Sequence, residues 1–264
     1  MTLFILSLTA CTTPATDKAA DTGSDAADAD TDTDADTDAD TDADTDADAD
    51  SDSDTDADKS CPSFAPFDVT GGVRVMSWDN GDGTTTDVTY TMMPSITWNG
   101  TEVWVQRVTQ YAVDWGTDQF DWYWTCGPEG AAVVGDDETL VETGEMWHVV
   151  YDSPQVRWPA TLTADATWSV SGTGSWGYEA ADGTTEDYGP FEEPESWTVT
   201  AADVPTTVTA GTYSAWQVEH VGVWNEEAYT DVSYIVDGIG GVALDDTDGV
   251  RESQLSSCSG LPGC

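Results

Sequence analysis

The stretch TWSVSGTGSW, residues 167–176, decides the fold class. Trp168, Val170, Gly172, Gly174 and Trp176 fall on one side of it, and Thr167, Ser169, Ser171, Thr173 and Ser175 on the other. A period of two is the signature of a β-strand, whose successive side chains point to opposite sheet faces. The neighbouring segments obey the same rule. FDWYWTC puts Phe120, Trp122, Trp124 and Cys126 on one side, and DVTYTM does so with Val88, Tyr90 and Met92. WHVVY, SWTVT, YSAWQVEHVGVW and YTDVSYIVD alternate likewise. Turn chemistry separates them at NGDG (80–83), ADG (181–183) and GPFEEPES (189–196). No run of a dozen residues carries a helical period. The expected architecture is all-β: an antiparallel curved sheet of roughly ten strands, either a half-barrel or a sandwich, preceded by a disordered acidic linker. DGTTTD (82–87) returns as DGTTED (182–187), which reads as two similar hairpin turns.

Composition divides the chain near residue 60. Residues 17–60 hold 19 Asp, two Lys, and no aromatic or branched aliphatic residue. Such a segment has too little apolar surface to offset the entropy of ordering it. Its core, TDADTDADTDADAD (37–50), would stack every Asp on one face if it were a strand, and like charges there oppose pairing. As a calcium array it lacks the turning glycine, none occurring between Gly23 and Gly71. The reading that remains is a spacer of residues 11–60. As a flexible coil it spans about 40 Å, with a limit of about 165 Å at full extension.

Residues 61–264 contain all thirteen Trp, 33 acidic residues and four Arg, with no Lys. So acidic a surface repels nucleic acid and anionic lipid, so no nucleic-acid partner is expected. The Trp content suits a packed core, with any exposed rings available to stack on sugars or apolar ligands.

Leu8-Thr9-Ala10-Cys11, after the apolar run at Leu3–Leu6, resembles the lipobox of bacterial lipoproteins. The resemblance implies a signal peptide over residues 1–10, a lipid on Cys11 as the mature N-terminus, and no membrane partner beyond that anchor. The run is short and lacks a preceding Lys or Arg, as a start codon placed too late would produce. Thr12 stands where an inner-membrane retention signal would place Asp, so the resemblance points to the outer membrane, with the face undetermined. A second resemblance lies in GTYSAWQVEHVG (211–222) followed by YIVDGIGGVALDD (234–246). These segments are similar to strands of the half-barrel lipoprotein-sorting proteins LolA and LolB, which implies an apolar ligand on a concave face.

Four cysteines remain after Cys11, and three pairings are open to them. The loop CSGLPGC can close Cys258 onto Cys264, which leaves Cys61 for Cys126. A four-cysteine zinc site is disfavoured because no C-x-x-C spacing occurs.

Catalytic constellations are sparse. GTGSWG matches a dinucleotide fingerprint only in letters, since no helix starts at its glycines. Gly172 and Gly174 read instead as positions that bend the strand or leave room beside Trp168 and Trp176. His220 shares a side with Trp216 and Val218 and reads as a core residue, whereas His148 alternates outward. Arg107 lies with Val103 and Val105 and reads as a carboxylate-paired or snorkelling side chain. Acidic pairs are too numerous to single out. No cofactor is expected, beyond weak Ca²⁺ in loops such as DNGDG (79–83). The residues expected to face a ligand are Trp168, Gly172, Gly174, Trp176, Trp216 and His220. The leading functional expectation is a non-enzymatic, lipid-anchored envelope protein that binds an apolar molecule, a glycan or a protein. A carboxylate-pair hydrolase and a structural surface-coat protein are the alternatives.

Overall fold

A computed structural model describes residues 61–112, 116–224 and 227–264. Cys11 and the aspartate-rich spacer lie outside the described residues. The described part is all-β, as the alternation implies, and its fourteen strands form one antiparallel sheet. In chain order these are β1 (Val73–Asp79), β2 (Thr85–Trp98), β3 (Thr101–Ala112), β4 (Gly116–Gly127) and β5 (Gly130–Leu140). Then come β6 (Glu145–Pro159), β7 (Thr167–Val170), β8 (Thr173–Glu179), β9 (Thr185–Glu192) and β10 (Glu195–Val208). The last four are β11 (Gly211–Trp224), β12 (Glu227–Val236), β13 (Gly240–Asp246) and β14 (Arg251–Ser259). The count exceeds ten partly because the alternating run 167–176 is divided between β7 and β8.

The first and last strands pair, and the sheet spreads from them as two arms. One arm runs β1 to β6, then β8 and β9; the other runs β14 back to β10 and ends on β7. The sheet is not closed, since β7 and β9 are both edges. The opening stretch bridges these arms. Its first four residues, β7, pair with β10, while Thr173 onward pairs with β6 and β9 as β8. The alternation is real, but it belongs to two strands rather than one. Gly172 makes the break, with φ at +59°, and a Cβ there would collide with the Glu193 carbonyl. Its N–H donates to Gln155 Oε1 at 3.2 Å and its carbonyl accepts from Glu193 N at 3.2 Å.

The repeated turn sequences do form matching turns. Thr84 N donates to Asp82 Oδ1 at 2.8 Å, and Thr184 N to Asp182 Oδ1 at 2.9 Å. Hydrogen bonds from the Thr84 and Thr184 side chains first, and then these backbone bonds, hold the Asp82 and Asp182 carboxyls below the usual carboxylate range.

The inner face of the sheet is the one covered by residues 61–69, which form no strand. Phe64, Ala65 and Phe67 from that segment are buried with Met92, Trp124, Ala131, Val133, Trp197, Val199, Val218 and Ile235. Phe67 stacks on Trp124 with ring centroids 4.0 Å apart, and Phe64 meets Trp158 edge-on at 6.4 Å. The segment is tied at both ends. Cys61 is bonded to Cys126 of β4, and Gly71 N and Gly72 O exchange hydrogen bonds with the Met92 backbone at 2.7 and 2.8 Å. The C-terminal loop does similar work. Leu261 is buried in the same cluster, inside the loop closed by Cys258–Cys264.

Two smaller clusters lie elsewhere among the described residues. Val103, Val105 and Tyr123 lie on the other face of β3 and β4, beneath Trp98, which stacks on Tyr123 at 4.7 Å. Met76, Val208, Ala215, Val242 and Leu255 anchor the second. In β5 the register shifts between Val133 and Gly135. Val133 lies in the inner cluster, Val134 packs with the outer one, and Asp136 pairs with Trp122 on the inner face.

Truncating Phe67 removes the ring that seats the segment. Phe67→Ala is expected to cost about 3–5 kcal/mol in urea unfolding, the range for a buried aromatic. Tyr111→Ala, at a ring that is 61% exposed, should move it by less than about 0.5 kcal/mol.

Candidate functional site

The residues expected to face a ligand fall into two groups. Trp168 stacks on Trp197 at 5.8 Å, and Trp197 stacks on His220 at 4.8 Å with the rings nearly parallel. Trp168 also donates its indole N–H to the Arg157 carbonyl at 3.0 Å, tying β7 to β6. Trp216 continues the His220 side of β11 and packs against the inner cluster. On the other arm, Trp176 stacks on Tyr188 at 4.4 Å. A Cβ on Gly174 would collide with the Val150 carbonyl and with the Phe191 ring, the latter at 2.9 Å. Gly172 is buried between the groups as the crossing point. Thus Trp168, Trp216 and His220 meet on one arm, and Gly174 and Trp176 stand on the other.

Between them lies a polar group that sequence reasoning did not single out. It is centred on Arg157, whose Nη2 donates to Tyr151 Oη at 3.1 Å and pairs with Glu195 Oε1 at 3.2 Å. The guanidinium also lies over the Trp122 ring, 5.2 Å from its centroid. Glu195 is buried, and its Oε2 is 4.0 Å from His220 Nε2. His220 Nδ1 is 3.3 Å from Asp231 Oδ2. Asp136 faces the same space, and burial pushes its carboxyl up to about 7 against the pull of Arg157. Burial and the charge of Glu195 raise Glu193 as well.

Further along the same face, Asp118 and Glu138 form a buried acid pair. Gln110 Nε2 donates to Asp118 Oδ2 at 3.2 Å. Burial first, then the charges of Asp118 and Asp136, push Glu138 up to about 9. Two carboxyls this close cannot both ionise out of water, so one proton is held between them near neutrality. Both are under 5% exposed, which makes the pair unsuited to reaching a polymeric substrate.

The outer face carries a different network. Arg107 donates Nε and Nη2 to the two carboxylate oxygens of Asp121, each at 2.7 Å. Asp137 accepts from Tyr123 Oη at 2.5 Å, and its other oxygen is 2.7 Å from His148 Nδ1. Arg251 pairs with Asp245. Arg107, Arg157 and Arg251 thus each meet a carboxylate.

Two hollows adjoin residues 61–69. One, of about 160 Å³, lies between that segment and the sheet, lined by Phe64, Phe67, Met92, Trp158 and Ile235 with Arg74 and Gln106. The other, of about 300 Å³, is bordered by Cys61, Pro66, Asp68 and Asp237. Among the described residues no group of three or more His, Cys, Asp or Glu is arranged to hold a metal ion. In the 79–83 loop, Asp79 and Asp82 accept from the backbone N–H groups of Gly81 and Thr84.

The raised Glu138 carboxyl sets a pH dependence. The folded state holds a proton that the unfolded state releases at ordinary glutamate values. Its stabilisation is therefore full below about pH 4.3 and is lost as pH rises toward about 9. Urea midpoints should fall between pH 5 and pH 9 in the wild type. Glu138→Gln, which keeps the hydrogen-bonding amide but cannot ionise, should flatten that fall; an unchanged slope would contradict the assignment.

No family model matches the chain, and no curated protein matches it. Two solved structures are similar to it. One is a provisionally assigned exported protein with a YmcC-like fold from Bacteroides fragilis, at 11% identity and a TM-score of 0.40, over 72% of this chain and 96% of that one. The other is a provisionally assigned lipoprotein of Parabacteroides distasonis, at 12% identity and a TM-score of 0.39, over 76% of this chain and all of that one.

Proposed function

We propose that this chain is a lipid-anchored envelope lipoprotein of the outer membrane, without catalytic activity, whose β domain takes an apolar ligand against the inner face of its sheet. One observation carries the binding part. The inner face is covered by a short, strand-free segment, residues 61–69, rather than by a second layer of regular structure. Phe64 and Phe67 lie on an aromatic surface that includes Trp124 and Trp158. They leave a cavity of about 160 Å³ beside them. A surface that accepts phenyl rings from its own chain has the chemistry to accept apolar groups from a ligand.

The anchoring part rests on Leu8-Thr9-Ala10-Cys11 and on the aspartate-rich spacer that follows. The pairings Cys61–Cys126 and Cys258–Cys264 support an oxidising compartment outside the cytoplasm. The acidic spacer would hold the domain away from anionic lipid, leaving the inner face open to ligands at a distance from the bilayer.

Metabolic labelling with a radioactive fatty acid tests the anchor. The full chain should incorporate label and fractionate with outer membranes, and Cys11→Ala should abolish both. Label retained in the variant would contradict the proposal. For the binding part, mass spectrometry of the protein purified without detergent should detect a co-purifying acyl or aromatic compound.

A further inference from the structure

Arg74 differs from the other three arginines. It lies in β1 beside the cavity of about 160 Å³ between residues 64–67 and the sheet. Its Nη1 donates to the Gly241 carbonyl at a long 3.3 Å, and its guanidinium carbon is 4.5 Å from the Tyr90 ring centroid. Nε is buried with no hydrogen-bond partner. Among the described residues no carboxylate forms an ion pair with it, although the domain carries 33 acidic residues. The site is shaped for this side chain: a Cβ on Gly240 would stand 2.5 Å from Nη1, so a larger residue there would displace the guanidinium.

A second polar group lines the same cavity. Gln106 is 5% exposed, and its Nε2 reaches Met92 Sδ at 3.9 Å, a weak acceptor. The rest of the wall is Phe64, Phe67, Trp158 and Ile235. Arg74 is part-buried, and leaving its enclosed Nε without an acceptor carries a desolvation cost that arginine does not escape by losing its proton. In a chain of net charge −46, an acidic partner would be easy to supply from the protein itself.

We infer that the cavity is a binding site for a small apolar carboxylate. The ligand's carboxylate pairs with Arg74 and accepts from Gln106, and its hydrocarbon lies among Phe64, Phe67 and Trp158. At about 30 Å³ per liquid water the volume corresponds to about five waters, the scale of a short-chain fatty acid or an arylcarboxylate. The inference rests on the inner face being an apolar ligand site, and it adds the charge and size of what binds there. The carboxylate can belong to a free short acid or to the head of a longer chain whose tail displaces residues 61–69.

Calorimetric titration of the full chain with hexanoate, hexanol, hexylamine and sodium chloride tests it. Hexanoate should bind saturably and at least about tenfold more tightly than hexanol, with no binding of hexylamine and no comparable heat from chloride. Arg74→Met should lower hexanoate affinity at least tenfold while leaving hexanol unchanged, and Arg74→Lys should retain part of it. Hexanoate should also raise the thermal midpoint of the wild type but not of Arg74→Met, a readout that shows the variant is folded. Decanoate binding accompanied by proteolytic exposure of residues 61–69, against hexanoate binding without it, separates the two sources of the carboxylate. Equal binding of hexanol and hexanoate, or unchanged hexanoate affinity in Arg74→Met, overturns this inference and leaves the apolar reading standing. No saturable binding of hexanoate overturns it too, and the wider reading then stands or falls on the co-purified compounds.

Discussion

The stacking of Phe67 on Trp124 is the contact on which the domain depends. Among the described residues no helix packs on the fourteen-stranded sheet, so its broad apolar face has no regular layer to cover it. The cover comes from the two ends of the described domain, residues 61–69 and the loop bearing Leu261, both buried in one cluster. Neither has backbone pairing enough to stay in place by secondary structure. Each has a disulfide instead. Cys61–Cys126 fixes the first segment to the strand that carries Trp124, and Cys258–Cys264 closes the loop that carries Leu261. A covalent tie limits the disorder of the unfolded chain, more so across the 65-residue separation of Cys61–Cys126 than across the 6 of Cys258–Cys264.

Charge is organised around the same face. On the outer side, acids are balanced in pairs, as in Arg107–Asp121 and Arg251–Asp245. On the inner side, Arg157 pairs with Glu195 and pulls on Asp136, while burial and the neighbouring acids push the Glu138 carboxyl up so that it keeps its proton. Burial makes this arrangement possible, since it weakens acids that would repel one another if ionised. Arg74 stands on the inner face with no such partner, beside the cavity left by the covering segment. That contrast, within one chain, is what gives the cavity a chemical preference rather than only a shape.

Much of the fold was legible in the sequence because alternation is a local property. FDWYWTC needed no knowledge of its neighbours to place Trp122 and Trp124 on one face. Where backbone conformation intervened, the reading stopped. Residues 167–176 alternate without a flaw, yet Gly172 at positive φ sends their halves to different arms. Asp136 and Glu138 alternate with Asp137, and the shift near Val134, which has no compositional mark, decides which of them turn inward. The candidate site was less legible still. Arg157, Glu195 and Asp231 come from three strands far apart in sequence. The segment PSFAPF, with two prolines and no period, gave no sign that it would cover the sheet. The role of Cys11 and of the aspartate repeat lies outside the described residues and rests on sequence alone.

The central claim is that residues 61–69 occupy the inner face. Through-space proton contacts in the full chain test it directly. Cross-peaks should link the Phe67 ring to the Trp124 indole, and the Phe64 ring to Trp158. If those cross-peaks are absent and residues 62–69 show narrow lines at random-coil shifts, the segment does not cover the sheet and the account fails.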